Sequence, residues 1–134
     1  RIKDILDTVG QNGMTWEIDV SYSPMPIMGE GDRPYFPLTF YAVDRESFFV
    51  LNAHIFSPDT LYHEIPEQFL KAIENNKMYP AEILVRREDV YAGLKLIADQ
   101  LGITIRKKRN LKAVDDVKRH MAAHFKGLSA RKRC

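Results

Sequence analysis

The stretch MTWEIDVSY, residues 14–22, decides how the rest of the chain is read. Trp16, Ile18, Val20 and Tyr22 alternate with Thr15, Glu17, Asp19 and Ser21, the period of two required of a strand with one apolar face. Asp19 falls near the centre of that strand, on its polar face beside Glu17. A carboxylate there has two readings: a ligand for a divalent cation, or a residue of a wet face that meets water or an arginine. The elements on either side decide between them.

Upstream, Ile2, Ile5, Leu6 and Val9 recur at helical spacing, and the Gly10 to Gly13 region ends that short helix. Downstream, residues 23–34 (SPMPIMGEGDRP) hold three prolines and two glycines and are expected to form a long irregular loop without regular pairing. The runs YFPLTFYAVD and FFVLNAHIF flank Asp44 to Ser47 and read as a hairpin. The first is apolar on both faces, with Phe36, Leu38 and Phe40 on one and Tyr35, Tyr41 and Val43 on the other. That pattern fits a central, doubly covered strand.

SPDT, residues 57–60, is expected to cap a helix that follows. Ile65, Phe69 and Ile73 make its buried stripe, and Pro66 either starts its regular part or kinks it. AEILV is a short strand. Asp89 is expected to cap the next helix, in which Val90, Leu94, Ile97 and Leu101 share a face and Gly102 ends the run. ITIRKKR reads as a strand whose charge marks a sheet edge. A last helix from Val114 to Lys126 aligns Val114, Val117, Met121 and Phe125, with Gly127 as its stop. Residues 1–128 are expected to form one domain, followed by a disordered basic tail, SARKRC, at 129–134.

At 134 residues the chain has the length of one domain, enough to bury about two-thirds of its unfolded surface. It opens on Arg1 and not on Met, as expected of a domain cut from a larger protein. No apolar run reaches the roughly 18 residues of a membrane helix, and no signal-peptide pattern is present. A cytoplasmic protein without a membrane partner is expected. The single cysteine, Cys134, excludes an internal disulfide and a thiolate metal cage.

The net charge of +2 hides an asymmetry: from Arg106 onward eleven Lys or Arg stand against two Asp, leaving nine basic and sixteen acidic residues before it. Arg106, Lys107, Lys108, Arg109, Lys112 and Arg119 are therefore the candidates for contact with nucleic acid or an acidic protein surface. Phe125 is the one aromatic in this segment, so contact with nucleic acid would follow the phosphate backbone, without base stacking. The alternative is an edge strand whose positive charge prevents sheet-to-sheet association.

The elements run helix, β, β, β, helix, β, helix, β, helix. Three closely linked strands form an antiparallel meander, and each later strand arrives after a helix and pairs parallel. The result is an α/β fold: a five-stranded mixed sheet of β-β-β-α-β-α-β-α order behind a short N-terminal helix. This order resembles the ribonuclease H-like fold of nucleases, integrases and transposases. A ferredoxin-like fold, with fewer leading strands, is the competitor. The segments TWEIDVSY, RPYFPLTFYAVDRES, YPAEILVR and LGITI resemble an uncharacterised bacterial family, a domain of unknown function.

The first resemblance implies carboxylates at the centre of the first strand, the end of the fourth and the last helix, holding two divalent ions about 4 Å apart. Asp19 matches the first position. At the fourth strand's end stand Arg86 and Arg87, with Glu88 and Asp89 arriving late, and guanidiniums repel a metal ion. Asp115 or Asp116 could supply the helix ligand, and Glu64 a further one, although acids in a helix's first turn are also stabilised by its dipole. His120 and His124 are four apart on one helix but lack a third ligand. His54 and His63 have no nucleophile beside them.

The expectation is therefore a non-catalytic binding or interaction domain without a cofactor. The alternatives are a magnesium- or manganese-dependent nuclease using Asp19, Asp89 and Asp115 or Asp116, and a weakly specific nucleic-acid binder using the basic segment.

Overall fold

The structure is a computed structural model and describes residues 2–22, 27–28 and 34–121. Its sheet is built from β1 (Thr15–Tyr22), β2 (Leu38–Asp44), β3 (Val50–Phe56), β4 (Glu82–Val85) and β5 (Thr104–Lys107). The strands lie in the order β3-β2-β1-β4-β5. β1, β2 and β3 are an antiparallel meander, whereas β4 pairs parallel with β1 and β5 parallel with β4. Three leading strands exclude the ferredoxin-like alternative. The helices are α1 (Ile2–Thr8), α2 (Leu61–Asn76), α3 (Glu88–Leu101) and α4, which spans 112–121 within the described residues.

Each strand sits where its side chains require. β2, apolar on both faces, is buried at all seven positions and lies inside the sheet. β5, with Arg106 and Lys107, is an edge. Trp16, Ile18 and Val20 turn to the face covered by α2 and α3, where Trp16 meets Phe69 edge-on with ring centroids 6.0 Å apart. Ile65, Phe69 and Ile73 of α2, and Val90, Leu94, Ile97 and Leu101 of α3, fill the same cluster. The opposite face holds a smaller one, in which Tyr41, Val43 and Leu84 of the sheet meet Leu111, Val114 and Val117 of the α4 segment.

Several local expectations change. Residues 27–28 pair antiparallel with 34–35 inside the loop expected to be irregular; a proline tolerates such a ladder end because its missing N–H need not be paired there. Gly10–Gln11 similarly pairs with Met78–Tyr79. Ser57 to Thr60 forms a 3-10 turn, and no side chain caps α2, which continues through Pro66. Arg87, not Asp89, is the residue before α3, so Asp89 lies within its first turn. Gly102 ends α3 at φ +70°, the left-handed position that glycine takes without a Cβ clash. Leu6, Tyr22 and Phe36, assigned to apolar faces, are 49, 65 and 50% exposed, each at or near an end of its element, where neighbours run out. Phe125, Gly127 and the tail 129–134 lie outside the described residues. Within those residues no helix is long and apolar enough to cross a membrane.

Gly93 sets how closely α3 approaches α2: a Cβ there would lie 2.9 Å from Cγ2 of the fully buried Ile65. Alanine gains about 1 kcal/mol of helix propensity, while overpacking a core costs about 1–3 kcal/mol. Gly93→Ala is therefore expected to lose about 1 kcal/mol in urea denaturation, and an equal gain would show that the contact is slack.

Candidate functional site

β1 presents Glu17 and Asp19 to the α4 face, where they are 0 and 2% exposed. The face expected to be wet is therefore dry, because α4 folds over it. Period-two alternation separates two sides of a strand but does not say which side is covered. Glu17 Oε1 accepts the N–H of Val114 at 3.1 Å, placing a negative charge at the start of α4, and Arg45 Nη1 lies 3.8 Å from Oε2. Asp19 Oδ2 accepts from Arg86 Nη2 at 2.7 Å and from Lys118 Nζ. Side chains two apart on a strand repeat about every 7 Å and those four apart on a helix about every 6 Å. The two carboxylates thus meet α4 one turn apart, at Val114 and Lys118.

Arg86 follows the last residue of β4 and reaches across to both neighbours of the site. Its Nη2 donates to Asp115 Oδ1 at 2.9 Å as well as to Asp19, and its Nη1 donates to Asp115 Oδ2 at 3.2 Å and to the Arg109 carbonyl at 3.4 Å. The hydrogen bond to Asp115 is the largest influence holding Arg86 protonated above its ordinary range; burial opposes it and Asp19 adds to it. The same hydrogen bond holds the Asp115 carboxyl below its usual value, against a smaller burial effect, with help from Lys118 and Arg119. Tyr41 stands opposite Asp19 in the ladder. Burial pushes its phenol up, a hydrogen bond with Thr39 opposes this, and the charge of Asp19 adds to it. Lys118 Nζ lies 5.6 Å from the Tyr41 ring centroid.

The predicted acids are only partly assembled. Arg86 joins Asp19 and Asp115. Asp89 is gripped by Arg87 at 3.0 and 2.7 Å, and Arg87 also donates to the Val20 carbonyl. Asp116 faces Arg119 at 3.3 Å and His120 at 3.4 Å, and Glu64 faces His54 at 3.3 Å. Among the described residues no group of three or more His, Cys, Asp or Glu could hold a metal ion. The magnesium or manganese pair implied by the resemblance does not fit these residues, because a guanidinium and an ammonium sit on Asp19 Oδ2, the same guanidinium takes both Asp115 oxygens, and the two positive charges repel a cation. His124 lies outside the described residues. Lys118 and Glu17 escaped the sequence reading; the clue was Lys118 standing one turn after Val114 on the helix that carries Asp115.

The basic candidates also divide. Arg106 pairs with Glu82 at 2.9 Å, Lys107 with Glu88, and Arg119 with Asp116. Lys108, Arg109 and Lys112 have no carboxylate partner among the described residues. Lys112 lines a cavity of about 390 Å³ together with Phe48, Asn110, Arg119 and the two acids Asp115 and Asp116. Phe48, 41% exposed and at φ +62°, comes from the distant β2–β3 turn and supplies an aromatic ring that the sequence order hid.

A family model described as "Domain of unknown function (DUF6930)" matches residues 1–122. No curated protein matches the chain. Among solved structures, the HTLV-2 integrase catalytic core domain in complex with magnesium, trimeric form, is similar at TM-score 0.61 and 16% identity, over 80% of this chain and 65% of that one. The catalytic core domain of BIV integrase is similar at TM-score 0.57 and 13% identity, over 84 and 66%. A chain of the simian T-cell lymphotropic virus intasome in complex with PP2A regulatory subunit B56 gamma gives 0.60 and 16%, over 80 and 37%. This chain thus spans less than two thirds of the length of each of these. The shared architecture is the integrase-core, ribonuclease H-like fold that the element order implied.

Removing one partner of a buried ion pair costs about 3–5 kcal/mol, whereas an exposed pair contributes under about 1 kcal/mol. Arg86 is part-buried and Lys118 stays on Asp19 in its absence, so Arg86→Met is expected to lose about 2 kcal/mol in urea denaturation and Arg119→Ala less than about 0.5 kcal/mol; equal losses would show that Arg86 is no more than a surface residue. The lowered Asp115 pKa contributes stability above the ordinary value of 3.8 that is lost as pH falls through the lower folded value. Arg86→Met should remove that part of the acid dependence.

Proposed function

The chain belongs to the DUF6930 family of domains of unknown function, and we propose that it is a non-catalytic binding or interaction domain of a larger bacterial protein, built on an integrase-core-like fold. One observation carries this reading: the Arg86 guanidinium bridges Asp19 and Asp115, the two acids that come nearest to the arrangement expected for metal ions. Two-metal phosphoryl transfer requires carboxylates whose charge is free to hold the ions. Here that charge is met internally by Arg86 and Lys118, and Asp89 is engaged elsewhere. A cytoplasmic setting belongs to the same proposal and rests on cysteine usage, since Cys134 has no partner in the sequence.

Calorimetric titration with manganese, beside a cleavage assay on single- and double-stranded DNA and RNA, tests this reading. Neither a saturable heat nor metal-dependent cleavage is expected. Cleavage that requires manganese and is abolished by Asp19→Asn would establish the nuclease alternative instead.

A second reading, weakly specific nucleic-acid binding, is supported by Phe48 sharing one cavity with Lys112 and Arg119, where Asp115 and Asp116 are held by Arg86 and Arg119. A ring next to a cation can stack an unpaired base while the cation meets phosphate. With Lys108, Arg109 and Lys112, which have no carboxylate partner among the described residues, as the contacts to phosphate, affinity for a single-stranded oligonucleotide should fall steeply between low and moderate salt. Phe48→Ala should weaken it about tenfold. Salt-insensitive binding, or binding indifferent to Phe48, contradicts this second reading.

A further inference from the structure

The Arg86 guanidinium is surrounded in a way that ordinary surface ion pairs are not. Four oxygens from three elements converge on it: Asp19 Oδ2 from β1, both Asp115 oxygens from α4, and the Arg109 carbonyl from the segment between β5 and α4. Asp19 Oδ1 is buried without a partner beside them, on a residue 2% exposed. All five are hard oxygen donors, the kind that manganese and magnesium take. Their positions do not rest on Arg86 alone. β1 is the central strand, and α4 is anchored by the Glu17–Val114 hydrogen bond and by Val114 and Val117 in the core.

We propose that Arg86 is a tethered stand-in for a metal ion, so that removing its side chain uncovers a site for one hard divalent cation formed by Asp19, Asp115 and the Arg109 carbonyl. The ligand set contains no acid from the end of β4, since Arg86 itself holds that place. It therefore differs from the set that the resemblance implied. The proposal rests on the reading of the native cluster as closed to metal, but it makes a separate claim about what the oxygens do once the guanidinium is gone.

Charge orders the expected affinities. Asp19, Asp115, Arg86 and Lys118 sum to zero in the native protein. Loss of Arg86 leaves one net negative charge, and loss of Lys118 as well leaves two, which matches a divalent ion. Lys118 donates to the same Asp19 oxygen as Arg86, so its ammonium would repel an incoming cation at short range.

The test is manganese titration by calorimetry of the native protein, Arg86→Ala and the Arg86→Ala/Lys118→Ala pair, at one ionic strength. The native protein should give no saturable heat and Arg86→Ala a single weak site. The double variant should bind at least about tenfold more tightly than the single one, because a nearby like charge has gone. Adding Asp19→Asn to the double variant should abolish binding. Melting in chelator and in manganese covers a variant that folds poorly: the ion should raise its melting temperature or restore a cooperative transition. Folded variants that bind no manganese, binding that survives Asp19→Asn, or an unfolded variant that manganese does not rescue each overturn the stand-in proposal and leave the non-catalytic reading standing. Saturable binding by the native protein would instead overturn the reading of a closed site.

Discussion

The ion pair between Arg86 and Asp19 is the contact on which the α4 side of the molecule depends. A buried carboxylate left without partners costs several kcal/mol in lost solvation, and β1 carries two, Glu17 and Asp19, on the face beneath α4. One oxygen of each is matched through groups that also hold the helix: the Val114 N–H for Glu17 Oε1, and Arg86 with Lys118 for Asp19 Oδ2. Among the described residues, the apolar cluster under α4 is smaller than the one beneath α2 and α3. Electrostatic matching therefore adds to apolar packing in placing α4, and the Arg86 fork to Asp115 ties its first turn to the end of β4.

The same constraint separates this chain from what its architecture would otherwise permit. A fold that brings acids from a central strand and a covering helix together must neutralise them. Mobile cations can do so, and their exchange makes chemistry available; fixed side-chain cations remove the repulsion and the exchange together. Arg86 is suited to the second solution, since its planar fork meets both oxygens of Asp115 while one nitrogen also serves Asp19. Arg87 treats Asp89 likewise at the start of α3. Both arginines that the sequence set at the end of the fourth strand are thus engaged with acids that the nuclease alternative would have needed.

Much of the architecture was legible because it rests on short-range patterns. The alternation of Trp16, Ile18 and Val20, the two-sided apolar run of β2, and the four-residue spacing in α2 and α3 each report a burial direction, and the sheet order follows from the element order. Two things were not legible. Alternation cannot show that α4 would cover Glu17 and Asp19, because that is a packing fact between residues nearly a hundred positions apart. Nor can it show which acid each arginine would choose. The sequence placed Asp89 as a helix cap, yet the Arg87 fork holds its carboxylate, and the neighbouring aspartates 115 and 116 face different partners because successive residues on a helix point about 100° apart. Phe48 was hidden for a similar reason, since it reaches the basic segment only through the fold of a distant hairpin turn.

The most direct measurement is a crystal structure grown in manganese, with anomalous scattering used to locate the ion. Density should show Arg86 within hydrogen-bonding distance of both Asp19 and Asp115, with no anomalous peak between those carboxylates. An anomalous peak between them, with the Arg86 side chain swung out toward solvent, would contradict the claim that a fixed cation closes this site.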